Sequence, residues 1–131
     1  MNQSVKLRIE QRIAFVEFDL PESKVNVLNT QVMSEFDSIL EELKNEISIK
    51  GVIVCSKKEN VFIAGADIKE IENITNVSAA ENLSAKGQKI FDKLESLNIP
   101  TIAVIDGHAL GGGLELALAC KYRVASFNEK A

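Results

Sequence analysis

Two stretches of this sequence break the usual economy of folding, and both sit where chemistry can be done. Ala64-Gly65-Ala66-Asp67 puts a glycine after the apolar run Val61-Phe62-Ile63 and just before a short helical pattern at Ile68 to Glu72. Small side chains let a ligand approach the backbone, and a helix start leaves N–H groups without partners. An ordinary strand-to-helix turn has the same composition, so this stretch alone does not choose. The second stretch is Gly111-Gly112-Gly113-Leu114-Glu115. Three consecutive glycines carry a large entropic cost, which a loop retains when it needs positive φ or close backbone approach. They open a helix whose free N–H groups and positive dipole end favour a negative oxygen. Glu115 follows one turn in, among Leu114, Leu116, Ala117 and Leu118. A partly buried carboxylate is expected there, its pKa raised by desolvation and fit for proton transfer.

Spacing excludes two common uses of such glycines. A phosphate-binding P-loop continues with Gly-Lys-Ser/Thr, whereas Leu114-Glu115 follows here. The dinucleotide fingerprint needs a third glycine where this chain has Leu116. What remains is a pair of strand–glycine–helix units that can aim two backbone N–H groups at one point, as an oxyanion hole does. That arrangement suits acyl transfer, enolate chemistry and hydrolysis alike. The only histidine, His108, lies inside the second loop, which leaves no Ser-His-Asp constellation and gives His108 a lining or structural role.

The elements that must position these stretches are legible from periodicity. Val5, Leu7 and Ile9 alternate with polar residues, and Ile13 to Leu20 follows across Glu10-Gln11-Arg12, which predicts an opening antiparallel hairpin. Pro21 to Lys24 is a turn. From about Asn29 to Ile47, the residues Val32, Phe36, Ile39, Leu40, Leu43 and Ile47 share one helical face, with Asn29 or Thr30 as N-cap. Val52-Ile53-Val54-Cys55 reads as a strand buried on both faces. Ser78-Ala79-Ala80-Glu81 has the form of a capping box, opening a helix that turns Leu83, Ile90, Phe91, Leu94 and Leu97 inward and stops before Pro100. Thr101 to Ile105 is another buried strand, Asp106 to Gly113 a loop, Leu114 to Cys120 a compact helix, and Tyr122 to Ala125 a last strand. Alternating strands and helices predict an α/β layer architecture in one domain.

Composition narrows the classes. The 131 residues are 46% hydrophobic and 26% charged, which is globular composition. The formal net charge of −4 argues against nucleic acid as a partner. Lys57, Lys58 and Lys69 form a local basic spot that reads as a solvated loop. No apolar run reaches the roughly 18 residues of a membrane span, and the first residues have no apolar signal core, so a cytoplasmic protein with no membrane association is the default. Cys55 and Cys120 sit in the apolar contexts VIVC and ALAC, which predicts buried free thiols. One histidine and two distant cysteines offer no metal-ligand spacing.

Phe62 to Glu70 followed by Gly107-His108-Ala109-Leu110-Gly111-Gly112-Gly113-Leu114-Glu115-Leu116-Ala117-Leu118-Ala119-Cys120 resembles the paired signature of the enoyl-CoA hydratase/isomerase (crotonase) superfamily. Within it, the likeness is to the N-terminal hydratase region of the multifunctional fatty-acid-oxidation α subunit, and it takes in Lys24-Val25-Asn26-Val27-Leu28. The resemblance implies a crotonase-like α/β fold of ββα units arranged as a spiral, with residues 1–131 forming the N-terminal part of a hydratase/isomerase domain. It also implies that the Ala66 and Gly112 N–H groups form an oxyanion hole and that Glu115 is a catalytic carboxylate. Lys24, Val25, Ala64, Gly65, Asp67, Ile68 and Gly111 are implied as contacts of an acyl-CoA substrate in fatty acid β-oxidation. No cofactor is implied, since the coenzyme A thioester is itself the substrate. The hydratases' second glutamate lies about twenty residues beyond the first, past Ala131, so a C-terminally truncated module is expected. Two readings follow: an enzyme of the hydratase/isomerase type, working as a homo-oligomer or with a complementing crotonase chain, or a non-catalytic, partner-binding fragment.

Overall fold

A computed structural model describes residues 3–131. The chain opens with β1 (Val5–Glu10) and β2 (Ile13–Phe18), paired antiparallel in register Glu10 to Ile13. Their two-residue connection puts Gln11 and Arg12 at φ 50° and 69°. Two successive left-handed residues match the twist of a tight hairpin. The predicted hairpin is present.

Helix α1 (Thr30–Asn45) follows, with the Asn29 side chain accepting from Val32 N–H at 2.8 Å as its N-cap. It buries Val32, Phe36, Ile39, Leu40 and Leu43, as the periodicity predicts. Ile47 does not join them: the helix ends two residues earlier and Ile47 is 98% exposed, while Ile49 takes the buried place. Next come β3 (Gly51–Ser56), β4 (Val61–Ile63), α2 (Ile68–Glu72) and α3 (Val77–Glu95). In β3, Val52 and Val54 are buried whereas Ile53 and Cys55 are only half-buried, so the strand is not sealed on both faces. The cap of α3 is Asn76, which accepts from Ala79 N–H at 2.7 Å, so the helix starts ahead of Ser78 and the predicted capping box is not used. Only Leu94 within α3 is fully buried, with Leu97 just beyond it. Leu83, Ile90 and Phe91 are half-buried.

The chain ends with β5 (Thr101–Ile105), β6 (His108–Ala109), α4 (Gly112–Ala119) and β7 (Tyr122–Ala125). Five strands form one sheet in the order β1-β2-β3-β5-β7, parallel from β2 onward. A second, two-stranded parallel sheet joins β4 to β6, so the loop predicted at Asp106 to Gly113 contains a short strand. The core lies between the large sheet and its helices, with the Phe18 and Phe36 rings 5.4 Å apart at its centre. This is the α/β layering predicted from the sequence. Lys58 is not merely solvated: it pairs with Asp19 at 2.8 Å and donates to Leu20 O at 2.6 Å, and Lys57 pairs with Glu17 at 3.3 Å. No helix among the described residues is long and apolar enough to cross a membrane.

Candidate active site

The two glycine stretches converge because their preceding strands pair. Val61 lies opposite His108 and Ile63 opposite Ala109, which delivers the ends of β4 and β6 side by side. Leu110 N–H donates to Ile63 O at 3.1 Å, extending that pairing into the loop. Gly65 takes φ +119°, and a Cβ there would sit 3.3 Å from Leu110 O, so the two turns touch through bare backbone.

A third segment fixes them from the other side. Asn26 O accepts from Ala64 N–H, and Leu28 N–H donates to Gly65 O, both at 2.8 Å. Leu28 and Ala66 form an isolated parallel bridge. Asn26 anchors this segment from within: its amide N–H groups are shared among Phe18 O, Ser56 Oγ and Phe62 O at 3.2, 2.9 and 3.0 Å, and its Oδ1 accepts from Leu20 N–H at 3.0 Å. Asn26 is almost wholly buried. Its position in Lys24–Leu28 was part of the sequence resemblance, yet nothing in the residue type announced this clamping role.

Neither Ala66 N–H nor Gly112 N–H donates to an acceptor among the described residues. Both residues line one cavity of about 740 Å³, together with Asp67 and Glu115. Leu28, Met33, Ile71, Leu83, Ile90 and Phe91 supply apolar wall. The half-burial of Leu83, Ile90 and Phe91 has its reason here, since all three line this space, Ile90 and Phe91 while also packing against the edge of the core. Sequence periodicity cannot separate those two destinations.

Four carboxylates line the cavity: Asp37, Asp67, Glu70 and Glu115. Asp37 pairs with Lys93 at 2.7 Å. Asp67 caps α2 by accepting from Lys69 N–H at 3.0 Å, and Glu70 accepts from Thr30. Glu115 alone of the four has no hydrogen-bonding or ionic partner among the described residues. It is exposed, contrary to the expected partial burial, because Leu114 and Leu118 beside it also face outward while Leu116 and Ala117 turn to the core.

The remaining candidates fall outside the cavity lining. Lys24 and Ile68 are exposed, Val25 and Ala64 half-buried, Gly65 buried and Gly111 exposed at φ +51°. Gly65 and Gly111 shape the two turns, whereas Lys24 and Val25 are not brought into the cavity. His108 is exposed and off the cavity, its N–H donated to Asn60 O at 3.0 Å. Cys120 is buried and its thiol is pushed up to about 11, chiefly by burial. Cys55 is half-buried, and its thiol is raised first by burial and then by the Glu17 charge.

Residues 8–130 match the family model described as enoyl-CoA hydratase/isomerase. The fatty acid oxidation complex subunit alpha of Idiomarina loihiensis is 42% identical over 133 residues, covering 99% of this chain and 19% of that protein. The corresponding subunit of Vibrio campbellii is 43% identical over 121 residues, covering 92% of this chain and 17% of its own length. Among solved structures, an enoyl-CoA hydratase from Geobacillus kaustophilus has a TM-score of 0.89 at 29% identity, over 95% of this chain and 46% of that one. An enoyl-CoA hydratase/isomerase from Xanthobacter autotrophicus Py2 gives 0.88 at 25% identity, over 98% and 48%. The chain thus spans under a fifth of those α subunits and about half of those solved chains.

Proposed function

The chain belongs to the enoyl-CoA hydratase/isomerase family, and on that premise we propose that its cavity binds an acyl-CoA thioester of fatty acid β-oxidation. The observation that carries this reading is the meeting, on one cavity, of two N–H groups and one carboxylate that have no partner among the described residues. The thioester oxygen accepts from Ala66 and Gly112 N–H, and the pair holds the negative charge that builds there as the enolate forms. One such donor is worth roughly 3–4 kcal/mol of transition-state stabilisation. The acyl chain lies against the apolar wall of Met33, Leu83, Ile90 and Phe91.

Glu115 transfers the proton. Acting alone, it carries a proton between C2 and C4 of a 3-enoyl-CoA, with the enolate as intermediate. In hydration it positions and deprotonates the water that adds across the C2–C3 double bond, alongside the second glutamate that hydratases use. The isomerisation reading draws support from Glu115 being the one unengaged carboxylate of the four.

Titration with acetoacetyl-CoA, followed by the ultraviolet absorbance of its enolate, tests the proposal. A saturable rise is expected, because two aligned donors favour the enolate over the keto form. Gly112→Pro removes one donor at the first helical position, where proline is tolerated, and is expected to abolish the rise while circular dichroism stays native. Flat absorbance at high ligand, from a chain with native circular dichroism, would sink the acyl-CoA reading and leave a non-catalytic crotonase-derived module.

A further inference from the structure

Among the described residues, the segment that forms one wall of the cavity makes its hydrogen bonds to the rest of the molecule through a single side chain. Helix α2 has no buried residue, and Ile71 is 50% exposed even though it lines the cavity with Ile74. The backbone bonds within this stretch, Ile71 N–H to Asp67 O and Ile74 N–H to Ile71 O, close on the segment itself. Asp67 caps its own helix. The one polar link outward from residues 68–74, among the described residues, is Glu70. Its carboxylate accepts from Thr30 N–H at 3.0 and 3.1 Å and from Thr30 Oγ1 at 2.7 Å. Thr30 is the first residue of α1, so the acceptor charge meets the positive end of a sixteen-residue helix.

We propose that Glu70 is a positioning residue that sets acyl-chain selectivity by holding α2, with Ile71 and Ile74, against the first turn of α1 as a wall of the cavity. The part of this proposal that concerns acyl chains rests on the acyl-CoA reading above; the part that concerns α2 does not. Thr30 lies two residues past Leu28, and Glu70 four past Ala66, so the link continues the Leu28–Ala66 bridge one step outward. The head of the cavity is fixed by backbone bonding at Gly65, whereas the part of its side wall that Ile71 and Ile74 supply, opposite Met33, Leu83, Ile90 and Phe91 of α1 and α3, depends on this carboxylate. A short acyl chain therefore feels Glu70 little and a long one feels it strongly.

Amide hydrogen exchange on the wild type, Glu70→Ala and Glu70→Gln measures the hold on α2 without any ligand. Binding of acetoacetyl-CoA and 3-oxodecanoyl-CoA, each through its enolate absorbance, measures the consequence. Glu70→Ala is expected to speed exchange across residues 68–74. It is also expected to weaken the ten-carbon probe about tenfold more than the four-carbon one, the ratio that corresponds to about 1.4 kcal/mol. Glu70→Gln keeps an acceptor oxygen and is expected to restore part of both effects. Unchanged exchange in Glu70→Ala overturns the proposal, as does equal weakening of the two probes. If the wild type binds neither probe, the acyl-CoA reading fails, and the exchange result still decides whether Glu70 holds α2.

Discussion

Replacing Asn26 by alanine tests how the site is assembled, and its cost can be worked through group by group. Asn26 serves four partners from an almost fully buried position. Two of them are covered after the substitution: Phe18 O still accepts from Lys57 N–H at 2.9 Å, and Ser56 Oγ still accepts from Lys58 N–H at 2.9 Å. Leu20 N–H and Phe62 O lose the Asn26 side chain as partner, with no other side chain among the described residues to replace it. Each orphaned polar group costs roughly 1–3 kcal/mol, so a loss of about 4 kcal/mol is expected. Against a total of roughly 5–15 kcal/mol for a domain, that is a large share. Urea unfolding followed by circular dichroism is expected to show a lower midpoint with an unchanged slope. The melting temperature is expected to fall by about 10–20 °C. Asn26→Asp keeps an acceptor for Leu20 N–H but turns a carboxylate oxygen toward Phe62 O, so it is expected to be no better than alanine. A melting temperature for Asn26→Ala within about 3 °C of wild type would refute the clamp, as would full tolerance of aspartate.

Gly113→Ala is expected to cost about 3 kcal/mol in thermal or urea unfolding, because the added methyl overlaps the Ile63 carbonyl and comes within 2.8 Å of Ile63 Cβ, forcing α4 off β4. Burial raises the Cys120 thiol from its ordinary 9.0 to about 11, so the unfolded chain releases that proton first. Stability is then expected to fall as pH rises from about 9 through about 11, a slope that Cys120→Ala should flatten in pH-dependent unfolding. Iodoacetamide at alkaline pH, read by peptide mass, is expected to alkylate half-buried Cys55 well ahead of Cys120 in the native protein, and both alike in urea.

The hairpin, the buried face of α1 and the strand at Thr101 to Ile105 were legible because each is decided by its own side chains. The misreadings came where a competing local feature won. Ile47 fits the helical period, but the chain leaves the helix at Glu46, whose N–H turns back to Leu43 O. The capping box at Ser78 was outbid by Asn76, two residues upstream and equally able to accept from a free N–H. Glu115 looked buried because its neighbours are apolar, yet a helix lying on a core turns only one side inward, and Glu115 shares the outer side with Leu114 and Leu118. Strand β6 left almost no signal, since two residues cannot show a period. For the site, glycine-rich turns after apolar strands pointed to two N–H groups aimed at one place, and the family resemblance supplied Ala66, Gly112 and Glu115, all three of which line one cavity. The roles of Asn26 and Glu70 were not legible, because both depend on partners distant in sequence.

The strand order carries a consequence for how this molecule acquires its cavity. Among the described residues only β1 and β2 are joined by a tight turn; every other ladder, including the short one between β4 and β6, is parallel and closes a long loop. Loop closure must be made before such ladders return any energy, which places the chain among slow-folding topologies. Ala66 and Gly112 come together only through the β4–β6 ladder, so a collapsed intermediate built on the hairpin and α1 lacks the donor pair. On the proposed function, acetoacetyl-CoA enolate absorbance is therefore expected to appear late in a refolding time course, behind the recovery of helical ellipticity.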